Sequence, residues 1–350
     1  MPMTILELLK YVASTSSPPD VEKLEASLLQ ASTAELRWAL DAGLGPLLYG
    51  ATTVRIEDRV RQMLLGADLA ARVRHAARFD AALLVAEACR LAHSRPIFLK
   101  GISISNQCYP TPHFRPMGDI DILINRDAYE AVQANLLARG CTLGNESPDA
   151  ASHHGVPLLD PTKTVWIELH TALFPRHTPV ATARVFSAEN AEQRAHFFDF
   201  HGLQGHRLPL DLQLPYIATS WMLDLMHFGV HPAFVIALFD TVHLLKNGGE
   251  FIDLQELAPR IDSDFALTSL YVMLSYLQRH NLCRIANLSL MGDRHRLVGP
   301  LTLQAIHMML DRYLVGGRSW NHVLPPPVPG RYSVANQLRK RWMRFQERWR

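Results

Sequence analysis

The segment 97–124 constrains the fold more than any other part of the chain, because two apolar runs bracket a fixed set of polar residues. The first run predicts a short strand that leads into Lys100 and Gly101, and a short helix and a proline-rich loop follow. A second strand is predicted to begin at Asp119-Ile-Asp121. Because side chains alternate between the faces of a strand, the two aspartates are expected on one face and the isoleucines on the buried other face.

Two carboxylates one pleat apart repel each other unless a cation neutralises them. Hard divalent cations such as Mg²⁺ or Mn²⁺ prefer oxygen ligands of this kind. Gly101 has no Cβ, so a ligand can approach its backbone closely. The amides from Gly101 to Ser103 are expected at a helix N-terminus, where phosphate is favoured. A phosphate cradle beside paired aspartates is typical of metal-assisted phosphoryl or nucleotidyl transfer. Each half alone is weak evidence, and the order of the elements carries the prediction.

The segment resembles the uncharacterised nucleotidyltransferase family of the DNA polymerase β-type superfamily. The resemblance rests on Leu99-Lys100-Gly101, on Arg115 and on Asp119-Ile-Asp121 followed by apolar residues. It extends over roughly residues 85 to 260 and implies transfer of a nucleoside monophosphate from an NTP such as ATP to an acceptor hydroxyl, with Mg²⁺ or Mn²⁺ as cofactor. It also implies a third carboxylate on a later strand, for which Glu168 is the candidate.

The resemblance also implies a role for each residue. Asp119 and Asp121 would hold two metal ions, and Glu168 would complete the ion nearer the acceptor. The residues implied for nucleotide binding are Lys100, Gly101, Ser103 and Arg115.

The strand that carries Glu168 alternates between Val165, Ile167 and Leu169 on one face and polar or amphipathic residues on the other. If this strand lies beside the one that begins at Asp119, the three carboxylates meet. The alternative is an outward-facing charge on an antiparallel strand. The following His170 either orients the site or serves the structure.

Composition restricts the class of protein. Charged residues make up 19% and hydrophobic residues 48%, which is typical of a globular chain. The net charge of +2 gives no global argument for nucleic-acid binding. The four cysteines are scattered, and no apolar run approaches the length of a membrane span. A soluble cytoplasmic protein is therefore expected.

The pattern of elements predicts an α+β fold, with a small mixed β-sheet flanked by N- and C-terminal helical regions. The expected units are an N-terminal helical region at 1–93, a nucleotidyltransferase core at 94–212, a C-terminal helical domain at 213–323, and a proline-rich connector with a basic, aromatic tail at 324–350.

Two basic stretches have open interpretations. Within a predicted helix near residues 56–93, Arg72, Arg74 and Arg78 with His75 are interpreted as a solvated face, and contact with a polyanion is the alternative. In the tail, residues 333–350 interleave arginines with aromatic residues at helical spacing. That spacing favours docking on the body of the protein or on a partner, and a nucleic acid or a membrane surface is the alternative.

The sequence does not identify the acceptor. A small molecule, a peptide or a saccharide is favoured over nucleic acid. The alternatives are a toxin-like or regulatory modifier of RNA or protein with the same chemistry, and a non-catalytic module that binds a nucleotide or a partner. The intact pair Asp119 and Asp121 argues against the non-catalytic module.

Overall fold

A computed structural model describes residues 5–13, 18–52, 56–144, 153–228, 234–247, 253–283, 285, 288 and 299–316. Within these ranges the fold is α+β, as predicted, with thirteen α-helices and one seven-stranded mixed sheet. The helices are α1 (Ile5–Ala13), α2 (Pro18–Leu29), α3 (Thr33–Asp41), α4 (Gly45–Ala51), α5 (Asp58–Leu91), α6 (Gly101–Cys108), α7 (Tyr129–Ala138), α8 (Ala188–Arg194), α9 (Leu210–Phe228), α10 (Phe234–Asn247), α11 (Leu254–Leu257), α12 (Asp264–Arg279) and α13 (Pro300–Gly316). The strands are β1 (Ile97–Phe98), β2 (Asp119–Leu123), β3 (Thr142–Leu143), β4 (Leu158–Leu159), β5 (Trp166–His170), β6 (His196–Phe200) and β7 (Leu203–Arg207).

The strand order places β2 and β5 side by side in the sheet, which runs β3-β4-β5-β2-β1-β7-β6. β2 is antiparallel to β1 and parallel to β5. The register aligns Asp121 with Glu168, and Asp119 with Trp166. In a parallel pair, aligned residues project to the same face of the sheet. The sheet therefore brings two of the predicted carboxylates to neighbouring positions.

Strand alternation explains why one face of this sheet is core and the other is not. Ile120 and Ile122 on β2 are buried, and so are Ile167 and Leu169 on β5. They form a hydrophobic core with the second half of α5 and with α7. The polar faces of β2 and β5 remain free to line a site.

Helix α5 runs without a break past Gly66. In its second half, small residues are buried in the core beneath the sheet, namely Ala81, Ala82, Val85, Ala88 and Cys89. Arg72 and Arg74 are exposed, as predicted for a solvated face. Arg78 is buried, so the solvated interpretation is wrong for that residue.

The hairpin of β6 and β7 is a part of the sheet that the sequence pattern did not predict. His201 and Gly202 connect its strands with φ values of 49° and 88°. Positive φ at both central positions is typical of a tight two-residue hairpin turn, and glycine adopts it without strain. β7 pairs in parallel with β1 and thereby extends the sheet beyond the site.

The N-terminal and C-terminal helices share one hydrophobic core, in which α1 packs on α10 and α9 packs on α12. The amine of Lys246 donates a hydrogen bond to the carbonyl oxygen of Val12 at 2.9 Å. The domain limits stay predictions. The predicted connector and tail at 324–350 lie outside the described residues. Among the helices in the described ranges, none combines the length and the apolarity that crossing a membrane requires.

Candidate active site

A cavity of about 660 Å³ opens where the polar faces of β2 and β5 meet the start of α6 and the helices α9 and α10. The predicted site residues that line it are Lys100, Gly101, Arg115, Asp119, Asp121 and Glu168. The structure thus brings six of the seven predicted residues to one cavity, and Ser103 is the exception.

Asp121, Glu168 and His170 converge at the floor of this cavity. One ligand atom from each of the three lies within 4.8 Å of the other two. The Nε2 atom of His170 is 3.0 Å from Oδ1 of Asp121 and 3.5 Å from Oε2 of Glu168. Two carboxylates and an imidazole at such distances can surround one divalent cation.

The charged groups of this cluster shift one another's pKa values. Burial raises the pKa of Asp119 to about 6, and the negative charges of Asp121 and Glu168 add to the shift. Burial alone would raise the pKa of Asp121, but the hydrogen bond from His170 holds it below its usual range. Burial alone would lower the pKa of His170, yet Asp121 and Glu168 raise it to about 9. Without a metal, the imidazolium is therefore the cation that balances the carboxylates.

Lys100 extends into the same cavity from the position before α6. Its Nζ donates a hydrogen bond to Oγ of Ser220 at 2.7 Å and lies 5.1 Å from the ring centroid of Tyr216. Burial alone would lower the pKa of this amine, but nearby negative groups, Asp121 and Asp224 among them, raise it above its ordinary value. The amine is therefore a fixed positive charge beside the carboxylates.

Gly101 begins α6 and forms part of the cavity wall. A Cβ atom built there would lie 3.1 Å from Sδ of Met117 and 3.6 Å from a guanidinium nitrogen of Arg115. The absence of a side chain thus lets the loop before β2 approach the helix N-terminus closely. Ser103 is buried, and its hydroxyl donates a hydrogen bond to the Lys100 carbonyl oxygen at 2.9 Å.

Arg115 makes its strongest contacts with Asp240 on α10. Its Nε donates to Oδ1 of Asp240 at 2.8 Å and its Nη2 donates to Oδ2 at 2.7 Å. The hydroxyl of Tyr109 donates to the same Oδ1 at 2.9 Å. This buried pair joins the loop before β2 to the C-terminal helices across the cavity wall.

Two histidines before the β4–β5 hairpin also lie close to the site. Adjacent residues in a strand point to opposite faces, yet the rings of His153 and His154 lie 4.7 Å and 5.3 Å from that of His170, between centroids. The reason is that this segment forms only an isolated bridge with His170, so no regular strand fixes its faces. His153 lines the cavity.

The wall formed by α9 contains residues that the sequence pattern did not single out. Tyr216, Ser220 and Asp224 line the cavity at intervals of four residues, which places them on one face of the helix. Polar residues spaced four apart in an otherwise apolar helix were the sequence pattern that could have indicated this wall of the site. Aromatic rings complete the wall: Trp221 stacks on Phe234 with a centroid distance of 5.1 Å.

The family comparison agrees with this geometry. A family model described as "Uncharacterised nucleotidyltransferase" matches residues 33–280. Searches of curated proteins and of solved structures found no match. The matched range contains every predicted site residue and extends beyond the range in which the sequence showed the resemblance. The chain therefore belongs to this uncharacterised nucleotidyltransferase family.

Proposed function

We propose that the protein is a metal-dependent nucleotidyltransferase that moves a nucleoside monophosphate from an NTP to an acceptor hydroxyl. The observation that carries the proposal is the register of Asp121 and Glu168 on adjacent parallel strands, at the floor of a cavity that also contains Lys100. Nucleotidyl transfer needs this combination of anionic metal ligands and fixed positive charge.

The side chains fit a divalent metal. Partly buried carboxylates of like charge stand next to each other, and the Nε2 atom of a buried histidine faces two of them. Asp119, Asp121 and Glu168 would hold Mg²⁺ or Mn²⁺. The Nε2 atom of His170 lies beside the carboxylates of Asp121 and Glu168. The metal would neutralise phosphate oxygens and lower the pKa of the acceptor hydroxyl.

The residues around the carboxylates have separate tasks in this proposal. Lys100 supplies a positive charge to the triphosphate, and the backbone amides at the start of α6 donate hydrogen bonds to its phosphate oxygens. Ser103 would contribute its backbone amide alone, since its hydroxyl is bonded to the Lys100 carbonyl. Asp240 would hold the Arg115 guanidinium in place, and the N–H groups that Asp240 does not engage would face the nucleotide.

The aromatic wall supports binding of a nucleobase. Phe174 and Tyr216 lie 5.3 Å apart between ring centroids, and both line the cavity beside Trp221 and Phe234. Aromatic rings stack on any base, so this wall supports an NTP substrate such as ATP without selecting one base. We propose a small molecule, a peptide or a saccharide as the acceptor. The four free cysteines support a reducing compartment such as the cytoplasm.

The test separates nucleotide binding from transfer. The protein would be incubated with each labelled NTP, Mg²⁺ or Mn²⁺ and a cell extract, and the labelled product would be identified. Glu168→Gln is expected to retain much of the stabilisation by Mg²⁺-NTP and to lose most transfer, because Asp119 and Asp121 remain to hold the nucleotide. Asp121→Asn is expected to lose both.

Glu130 on α7 is an exposed carboxylate away from the cavity, so Glu130→Gln serves as the matched control and should transfer label normally. Full transfer by Glu168→Gln, or equal stabilisation by NTP with and without metal, would contradict the proposal.

A further inference from the structure

A second and smaller cavity, of about 40 Å³, adjoins the first. Both cavities are lined by Arg115, Pro116 and Met117, so this loop segment is their common wall. The lining of the small cavity is basic: besides Arg115 it contains Arg74, His75, Arg78 and His113. None of the described residues that line it carries a carboxylate. Its size suits a single tetrahedral anion and is too small to enclose a whole nucleotide.

Arg78 is the central residue of this cavity, and its donors are not all used. The side chain is only 9% exposed. Its Nη1 donates to the Arg74 carbonyl oxygen at 3.0 Å and its Nη2 donates to the Gly118 carbonyl oxygen at 3.2 Å. Its Nε is buried and has no partner among the described residues. The buried Nε2 atom of His75 also lacks a hydrogen-bond partner among the described residues. Buried polar groups without partners are costly, which points to a ligand that satisfies them.

Two carboxylates that contact residues of this lining, Asp68 and Asp240, already have partners. Asp68 accepts from Arg72 at 2.8 Å and contacts Nε2 of His113 at 2.8 Å. Asp240 is held by Arg115. Asp119 acts on Arg78 through its charge but belongs to the large cavity. Burial is the main reason why the pKa of His75 is lowered to about 4, and the charges of His113 and Arg78 lower it further. The excess of positive charge in the small cavity therefore comes from Arg74 and Arg78.

We propose that the small cavity binds a phosphate-sized oxyanion, held by Arg74 and by the free Nε of Arg78. Guanidinium groups form short charge-assisted hydrogen bonds to phosphate oxygens, so donors that now lack a partner would gain one. The anion is either free inorganic phosphate or the terminal phosphate of a longer ligand. Because Arg78 also bonds Gly118, the residue before Asp119, the bound anion would hold the segment between the two cavities in place.

The proposal is tested by titrating inorganic phosphate into the full chain by calorimetry, without metal or nucleotide, against chloride at matched ionic strength. Arg74→Gln is expected to weaken phosphate binding at least about tenfold. Arg74 is exposed, so this variant should fold. Arg78→Gln should weaken binding further. Arg61, an exposed arginine on the same helix outside the cavity, gives the control Arg61→Gln with unchanged affinity.

Two results would overturn the proposal. One is phosphate affinity in Arg74→Gln equal to that of the parent chain. The other is phosphate binding that is lost in Lys100→Met, because the anion would then lie in the large cavity. Parallel titrations with pyrophosphate and with adenosine monophosphate identify the source: binding of free phosphate alone indicates the inorganic ion, and binding of all three with the same loss in Arg74→Gln indicates a terminal phosphate. Since no metal or NTP is present, a negative result leaves the transfer proposal intact.

Discussion

The buried pair of Arg115 and Asp240 makes the most quantitative prediction. Three donors converge on the two oxygens of this carboxylate: two from Arg115 and one from Tyr109. The side chains of the pair are 7% and 3% exposed, so water has little access to either partner. Asp240→Asn removes the negative charge. It also replaces one acceptor oxygen with an NH₂ group, which faces at least one donor and cannot accept its hydrogen bond. Breaking such a pair is expected to lower the free energy of unfolding by about 3–5 kcal/mol.

The assay is urea denaturation of the parent chain and of the variant, monitored by circular dichroism. Glu87→Gln is the control, because Glu87 forms an exposed ion pair with Arg90 and should leave the free energy of unfolding unchanged. The double change Arg115→Met with Asp240→Leu should be more stable than Asp240→Asn, since it leaves no buried charge alone. Its recovery should be incomplete because Tyr109 loses its acceptor.

A loss below about 1 kcal/mol for Asp240→Asn would refute this reasoning, because that is the range of solvated pairs. The same variants also separate two roles of Arg115. If the double change restores stability but still binds NTP weakly, Arg115 contacts the nucleotide in addition to bracing the wall.

Three further predictions concern single residues. Gly101→Ala places a Cβ about 3.1 Å from the sulfur of Met117 and is expected to weaken NTP binding by about tenfold in calorimetry, or ~1.4 kcal/mol; unchanged affinity would show that the close approach is not needed. Lys100→Met removes one of the positive charges of the cavity and should weaken NTP binding by about tenfold to a hundredfold in the same assay, while Lys163→Met, at an exposed lysine away from the cavity, should not. Burial lowers the pKa of His243 from 6.5 to about 4, so the unfolded chain takes up a proton first as the pH falls, and stability is lost between pH 6.5 and about 4. His243→Phe should remove about 2–3 kcal/mol of the stability difference between pH 7.5 and 4.5 in urea denaturation, and an unaltered pH dependence would contradict the assignment.

Local patterns predicted the strands of the site. Alternation of polar and apolar residues in β2 and β5 placed Asp119, Asp121 and Glu168 on polar faces, and the parallel register brings Asp121 and Glu168 together. The roles of these residues stay predictions. The polar face of a strand can be predicted from residues that are only two positions apart. A site that is built on such strands can therefore be predicted from the sequence.

Long-range partners were not accessible in the same way. Arg115 and Asp240 are 125 positions apart, and no local sequence pattern indicates that they pair. Arg78 lies in a basic stretch that is typical of a solvated helix face, yet the loop that carries Gly118 covers its side chain. The β6–β7 hairpin had a local signal in His201-Gly202, but its strands do not alternate cleanly between polar and apolar residues. Only the tertiary packing decides these positions.

The position of β1 in the sheet sets the order in which the protein can fold. Ile97 pairs with Leu123 on one side and with His206 on the other. The first pairing closes a short loop, whereas the second must wait for a segment more than ~100 residues further along the chain, and late pairings of this kind slow folding. During synthesis, Asp121 and Glu168 can come together before β7 has left the ribosome. Until β7 arrives, β1 is an open edge strand, so a nascent or truncated chain that stops before Leu203 exposes unpaired backbone groups next to the site and is expected to aggregate.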